Sequence, residues 1–316
     1  MNVGLIDVDG HHFPNLALMR ISAYHKARGD AVEWWFGFNH YDIVYMSKIF
    51  SSAYSADVPE PLNADRIIKG GTGYCITTDE KGVEHFDKSK NTVLPQEIES
   101  CFPDYSIYPE YDFAVAMTSR GCPRGCGFCH VQPKEGKCAV KVADVSDFWS
   151  GQKEIKVLDP NITACVEKHD LFVQYAATGA AIDFTQGLDI RLLTEADISD
   201  LEKLKLKNIH FAWDNPKDDL KGRFEWYAGH ATHKPKGRYG TVYILTNYET
   251  ASIEEHIERA LYRIETVCAL KYDPYLMIYN KPSAPQILKD MQRWCNNKII
   301  FNSERDFQKY KPRKGR

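Results

Sequence analysis

The 316-residue chain has no stretch approaching eighteen uncharged apolar residues, which excludes a transmembrane helix and any membrane partner reached through one. It also lacks a basic N-terminal region and a cleavage site, entering instead a strand-like run from Val3 to Val8, so a cytoplasmic protein is expected. No charge of one sign dominates. Forty basic residues face forty-three acidic ones, a net charge of -3, and the whole-molecule field therefore does not mark a nucleic-acid or membrane-surface binder. There is no close internal repeat. What the chain does have is 43% hydrophobic and 12% aromatic residues, enough apolar surface for a core and too much for a disordered chain. Nine cysteines without an export signal do not read as a disulfide framework, which leaves metal or redox chemistry as the question they pose.

Strand-like runs at Val3 to Val8, Ala31 to Trp35, Asp42 to Met46 and Arg66 to Lys69 alternate with a helical pattern at Asn15 to Arg28, a Rossmann-like order expected to occupy residues 1–100. Pro95, Pro103 and Pro109 interrupt Asn91 to Tyr111, where a linker is expected. Six further apolar runs follow at Phe113 to Met117, Ile155 to Leu158, Ala181 to Phe184, Asn208 to Trp213, Thr241 to Leu245 and Tyr275 to Tyr279. Amphipathic stretches from Glu195 to Leu206 and Ser252 to Leu270 read as helices between them, and repeated strand-helix order implies a parallel sheet, open or partly closed into a barrel, over residues 101–290. Residues 291–316 read as an extension whose end, Glu304 to Arg316, holds six basic and two acidic residues.

The strongest chemical signal is Gly121-Cys122-Pro123-Arg124-Gly125-Cys126-Gly127-Phe128-Cys129, three thiols spaced C-x3-C-x2-C in a glycine-rich loop after a strand. Three thiolates leave one iron of a 4Fe-4S cluster without a protein ligand and so open to another molecule. A Cys3His zinc site through His130 is the competing reading, although His130 adjoins Cys129 and is poorly placed to share its tetrahedron. Cys75, Cys101, Cys138, Cys165, Cys268 and Cys295 lack cluster spacing and read as small hydrophobes.

This loop resembles the signature of the radical S-adenosylmethionine superfamily, with Phe128 at its aromatic position, and the resemblance extends over about Tyr111 to Lys281 through Leu158-Asp159-Pro160-Asn161, Gln186-Gly187-Leu188-Asp189-Ile190-Arg191, Phe211-Ala212-Trp213-Asp214 and Tyr243-Ile244-Leu245-Thr246-Asn247. It implies an α/β fold in which a partial parallel (β/α)6 barrel follows the small Rossmann-like lobe. It also implies a 4Fe-4S cluster on Cys122, Cys126 and Cys129, with the amino and carboxylate groups of S-adenosylmethionine on the unique iron. One electron, from a donor such as flavodoxin or ferredoxin, would then give a 5′-deoxyadenosyl radical that abstracts hydrogen from a substrate. On this resemblance Phe128, Asp159, Gln186, Asp189, Arg191 and Asp214 are candidate cofactor or substrate contacts, and Leu245 a surface for adenine. Cys129 to Gly136 also resembles the segment after the cluster in methylthiotransferase-like members, but their auxiliary cluster cysteines have no counterpart here.

The lobe is similar, in part, to cobalamin-binding lobes carrying D-x-H-x-x-G, S-x-L and G-G patterns. Asp9-Gly10-His11-His12-Phe13-Pro14 has proline where glycine belongs, and Ser47-Lys48-Ile49 and Gly70-Gly71 follow in the right order with short spacing. Tight cobalamin binding is not expected. His11 and His12 read alternatively as a turn over the barrel mouth. Gly222 to Gly240, with Arg223, Trp226, Tyr227, His230, His233, Lys234, Lys236, Arg238 and Tyr239, reads as a basic-aromatic loop of the kind that stacks on nucleotides. With Arg191 and the tail residues Lys309, Lys311, Arg313, Lys314 and Arg316 it leads to an expected anionic substrate, either a small metabolite or a nucleic acid. Two rival readings remain open at this point: a cobalamin-dependent radical methyltransferase, and a non-enzymatic metal-cluster module that binds nucleic acid.

Overall fold

Short runs of apolar and β-branched residues form two separate parallel sheets in the computed structural model, which describes residues 1–80 and 82–312. In the first sheet, β1 (Asn2–Asp7), β2 (Ala31–Trp34), β3 (Ile43–Ser47) and β4 (Ile67–Gly70) lie in the order β2-β1-β3-β4. Parallel neighbours need a crossover, and α1 (Leu16–Ala27) supplies the one from β1 to β2. Asn15 starts that helix by accepting the Leu18 N–H on its side chain, a cap worth about 1 kcal/mol. A small antiparallel hairpin, β5 (Ile76–Thr78) and β6 (Glu84–Phe86), follows β4.

The segment expected to be a linker is instead built into this lobe. It contains α2 (Gln96–Glu99), whose Ile98 is buried with Val3, Leu5 and Leu18. Arg20 donates to Glu99 at 2.7 Å, Ser22 and Lys26 each donate to Asp104 at 2.7 Å, and the Trp34 indole donates to the Ile107 carbonyl at 3.2 Å. Prolines there interrupt regular structure without freeing the chain, because side chains take over the hydrogen bonding.

The second sheet begins with β7 (Ala114–Ala116). An antiparallel clip, β8 (Ser119–Arg120) and β9 (Val140–Lys141), then encloses the cysteine loop and α3 (Val131–Glu135). The sheet continues with β10 (Glu154–Val157), β11 (Ala181–Leu188), β12 (Lys205–Ala212), β13 (Thr241–Thr246) and β14 (Asp273–Ile278), each beside its predecessor and parallel to it. Four crossovers carry α4 (Lys168–Thr178), α5 (Glu195–Leu201), α6 (Lys221–His230) and α7 (Ile253–Ala269). One face of the sheet, including Ile155, Ile182, Phe211, Val242 and Leu276, is buried with helix residues such as Phe172, Phe224 and Ile264 in a single core. Consecutive parallel strands bring every strand-to-helix loop to the sheet's C-terminal edge, where α/β folds build their sites.

Three expectations are corrected here. The helix from Glu195 ends at Leu201, and Leu206 belongs to β12: Leu204 and Leu206 continue the apolar pattern, but Leu204 is buried from the bend before β12 and Leu206 from the strand itself. The supposed basic-aromatic loop opens with α6, in which Phe224 and Tyr227 are core residues. Residues 291–310 are not an appended tail, since α8 (Gln286–Asn296) and α9 (Lys298–Ser303) bury Met291, Trp294 and Phe301 in the main core, with Phe307 beyond them. Arg313, Lys314 and Arg316 lie outside the described residues.

Candidate cluster-binding site

The cysteine loop leaves β7 through a fixed corner. Thr118 donates its backbone N–H and its hydroxyl to Asp159 at 2.8 Å each, and Ser119 donates its N–H at 2.5 Å and its hydroxyl at 2.6 Å. Burial pushes the Asp159 carboxyl up to about 6 even against those four donors. Gly121 has φ 86 and a Cβ there would overlap the Cys138 carbonyl oxygen, so only glycine lets the two ends of the loop approach. Within the loop, Cys122 N–H donates to the Gly136 carbonyl at 3.2 Å and Cys129 N–H to the Cys126 carbonyl at 2.9 Å. Tyr248 rests on the loop, its ring 5.2 Å from that of Phe128 and its hydroxyl where a side chain on Gly127 would sit.

The three thiols are half-buried and free of disulfides. Burial, reinforced by the neighbouring thiols, raises the Cys126 and Cys129 pKa values. Cys122 Sγ receives two donors, Arg124 N–H and the Asn161 amide, both at 3.4 Å. Sulfur acceptors with N–H groups aimed at them fit an iron–sulfur cluster. His130 does not join them: its Nε2 faces Glu84 at 3.2 Å and its ring stacks on Phe86. Among the described residues no three His, Cys, Asp or Glu side chains converge as a single ion requires.

A cleft of about 420 Å³ opens beside the loop, and Phe128, Arg191, Asp214 and Leu245 line it, together with Arg124 and Cys126. Asp189 ties this wall together. It accepts Arg124 Nε on one oxygen and Arg191 Nε on the other, both at 2.7 Å, and although burial opposes ionisation the two guanidinium groups hold it below the usual carboxylate range. Burial pushes the Asp214 carboxyl up to about 6 against the opposing influence of Arg263 and Arg191. Asp159 and Gln186 are not brought to the cleft: Asp159 is consumed at the corner of the loop, and Gln186 lies exposed in the irregular part of β11.

Sequence reasoning did not single out Tyr248, His256, Arg259 or Arg263, which also line the cleft. Arg263 on α7 is buried and donates to the carbonyls of Trp213 at 2.7 Å, Asp214 at 3.1 Å and Leu245 at 3.0 Å, pinning the ends of β12 and β13 together. Its signal in the sequence was faint, a lone arginine on the apolar stripe of an amphipathic helix. Thr246 Oγ1, also buried at this wall, has no hydrogen-bond partner among the described residues.

The arginines expected to attract an anion are otherwise engaged. Arg191 pairs with Asp189 and with Asp218 at 3.0 Å. Arg223 donates to the Ile190 and Leu193 carbonyls, Arg238 lies 3.8 Å from Asp273, Lys234 sits over the Tyr239 ring, and Tyr239 is itself buried. In the lobe, Asp9 accepts the Ile49 and Phe50 N–H groups, and the His11 ring packs on Trp34 and Tyr108. Ser47 accepts from Asn15 at 2.8 Å, and side chains at Gly71 or Gly73 would overlap the backbone of the loop after β3. The three segments of the cobalamin-like pattern thus meet at one edge of the sheet but bind one another and their neighbours.

No family model matches this chain, and no curated protein matches it in sequence. Solved structures do. The radical S-adenosylmethionine methyltransferase TsrM from Kitasatospora setae, with cobalamin and a 4Fe-4S cluster bound, superposes with a TM-score of 0.61 at 10% identity, over 88% of this chain and 74% of that one. The same methyltransferase with its tryptophan substrate and aza-SAM, an analogue of S-adenosylmethionine, gives a TM-score of 0.62 at 10% identity, over 87% and 72%. The chain therefore shares the fold of a radical S-adenosylmethionine enzyme. No helix among the described residues is long and apolar enough to cross a membrane.

Proposed function

We propose that the protein is a radical S-adenosylmethionine enzyme, a partial (β/α)6 barrel with a Rossmann-like lobe, whose cluster is held by Cys122, Cys126 and Cys129. The observation that carries the reading is the loop itself: three thiols at the C-terminal edge of six consecutive parallel strands, with two N–H groups directed at one sulfur. When bound, the cluster would supply the electron that cleaves S-adenosylmethionine to methionine and a 5′-deoxyadenosyl radical. The chain's own residues would position and shield. Gly121 and Asp159 fix the loop, Arg124 and Asp189 lock it to the strand edge, and Tyr248 covers Phe128. The cleft is lined by residues of both signs, Arg191, Asp214, Glu249 and Arg259 among them.

For the second substrate, the engagement of Arg191, Arg223 and Arg238 within the fold removes most of the basis for a nucleic-acid track and favours a small molecule. An external reductant such as flavodoxin or ferredoxin would deliver the electron. The cobalamin-dependent methyltransferase remains the second reading because the neighbouring structure binds cobalamin and has this fold. Within this lobe, Gly71, Gly73, Ser47 and His11 serve packing, which supports a scaffold in preference to a corrinoid groove. Anaerobic corrinoid titration tests the point: a stoichiometric spectrum, lost when the Asp9 to Asn15 loop is changed, would make the methyltransferase the better reading.

A further inference from the structure

Asn161 stands in the loop after β10, 39 residues from the cysteine it touches, and is only 4% exposed. Its amide is oriented by a directed relay. Asp189 N–H donates to Thr163 Oγ1 at 3.0 Å, the Thr163 hydroxyl donates to Asn161 Oδ1 at 2.7 Å, and Asn161 Nδ2 donates to Cys122 Sγ at 3.4 Å. The opposite amide orientation would turn a carbonyl oxygen toward a thiolate, so charge as well as hydrogen bonding selects the one seen. The relay starts at the backbone of the residue whose carboxylate grips Arg124, and Arg124 N–H is the second donor to the same sulfur. One sulfur thus carries two N–H donors held by a single connected network. Hydrogen bonds to cluster sulfurs draw electron density from the ligand, stabilise the reduced state and raise the reduction potential.

We propose that Asn161 is a positioning residue that sets the reduction potential of the cluster through Cys122, with Thr163 holding its amide in the donating orientation. The inference rests on the cluster reading above but concerns a separable property. The test is a redox titration of the reconstituted protein, followed by electron paramagnetic resonance without S-adenosylmethionine, on wild type, Asn161→Leu and Thr163→Val, with iron counted in each. Asn161→Leu should lower the midpoint by an amount corresponding to about a tenfold change in the reduction equilibrium, about 59 mV for one electron. Thr163→Val, which keeps the amide but frees its orientation, should shift the midpoint the same way by less. Should Asn161→Leu fail to fold or load iron, Thr163→Val decides alone. Unshifted midpoints at equal iron content would overturn the role of Asn161 and leave the cluster intact as a reading, whereas a wild-type chain that takes up no cluster would remove the reading itself.

Discussion

Arg124 on the cysteine loop donates from Nε to Asp189 at 2.7 Å, although the two lie 65 residues apart in sequence. The same carboxylate accepts Arg191, so one nearly buried group, its side chain 5% exposed, joins the loop after β7 to the loop after β11. Asp189→Asn keeps the shape and removes the charge, leaving two guanidinium groups without their anion. The variant should lose about 2–3 kcal/mol in urea unfolding and take up less iron on reconstitution. Unchanged stability would mean that the exposed sides of the two arginines already satisfy them through water.

Arg263 offers the sharpest structural test of the cleft. Its guanidinium satisfies carbonyls on two strand ends, and burial pushes its pKa down to about 10, so it remains charged at neutral pH. Arg263→Met strands those carbonyls and should cost about 3 kcal/mol or more, while Arg263→Lys, with one amine in place of a planar fork, should recover only part. Thermal unfolding of the pair checks this. Equal melting temperatures for Lys and Arg would contradict a role for the fork.

The cleft also predicts a pH dependence. Asp214 has an ordinary pKa of 3.8 and is raised to about 6 in the fold by burial, so the folded chain holds the proton more tightly than the unfolded one. The stability associated with its protonated form is present below about pH 4 and lost as pH rises to about 6. Asp214→Asn mimics the protonated group, and above pH 7 the cluster-free variant should exceed wild type by up to about 3 kcal/mol, with the gap closing toward pH 4. A gap independent of pH would show that Asp214 ionises normally.

Gly121 tests the loop's geometry. Alanine at φ 86 carries about 1–2 kcal/mol of backbone strain and collides with the Cys138 carbonyl, so Gly121→Ala should hold little iron after reconstitution even if the rest of the chain folds. Gly136 also has a positive φ, of 103, but faces open space, and Gly136→Ala should therefore be the milder of the two. Iron content and circular dichroism of both variants separate local from global damage.

Much of the architecture was legible because parallel strands buried on one or both faces read as short apolar runs, and every strand of the two main sheets falls within a residue or a few of its expected place. The errors have identifiable physical sources. Leu204 and Leu206 sustain the helical period past Leu201, but the chain turns there and buries Leu204 from the bend and Leu206 from β12. Gly222 and Gly229 hid α6, whose burial of Phe224 and Tyr227 outweighs two weak helix formers. The thiol loop was readable because its three cysteines are local in sequence. Arg263, Tyr248 and the Asn161 contact were not, since each gains its meaning from a strand end or loop far along the chain.

The central claim is tested most directly by anaerobic reconstitution with iron and sulfide, reduction with dithionite in the presence of S-adenosylmethionine, and assay for 5′-deoxyadenosine. The account predicts that wild type binds about four irons per chain and releases 5′-deoxyadenosine, and that a chain with Cys122→Ala, Cys126→Ala and Cys129→Ala does neither. Release of 5′-deoxyadenosine by the triple variant, or its absence from a wild-type chain carrying a full cluster, would contradict it.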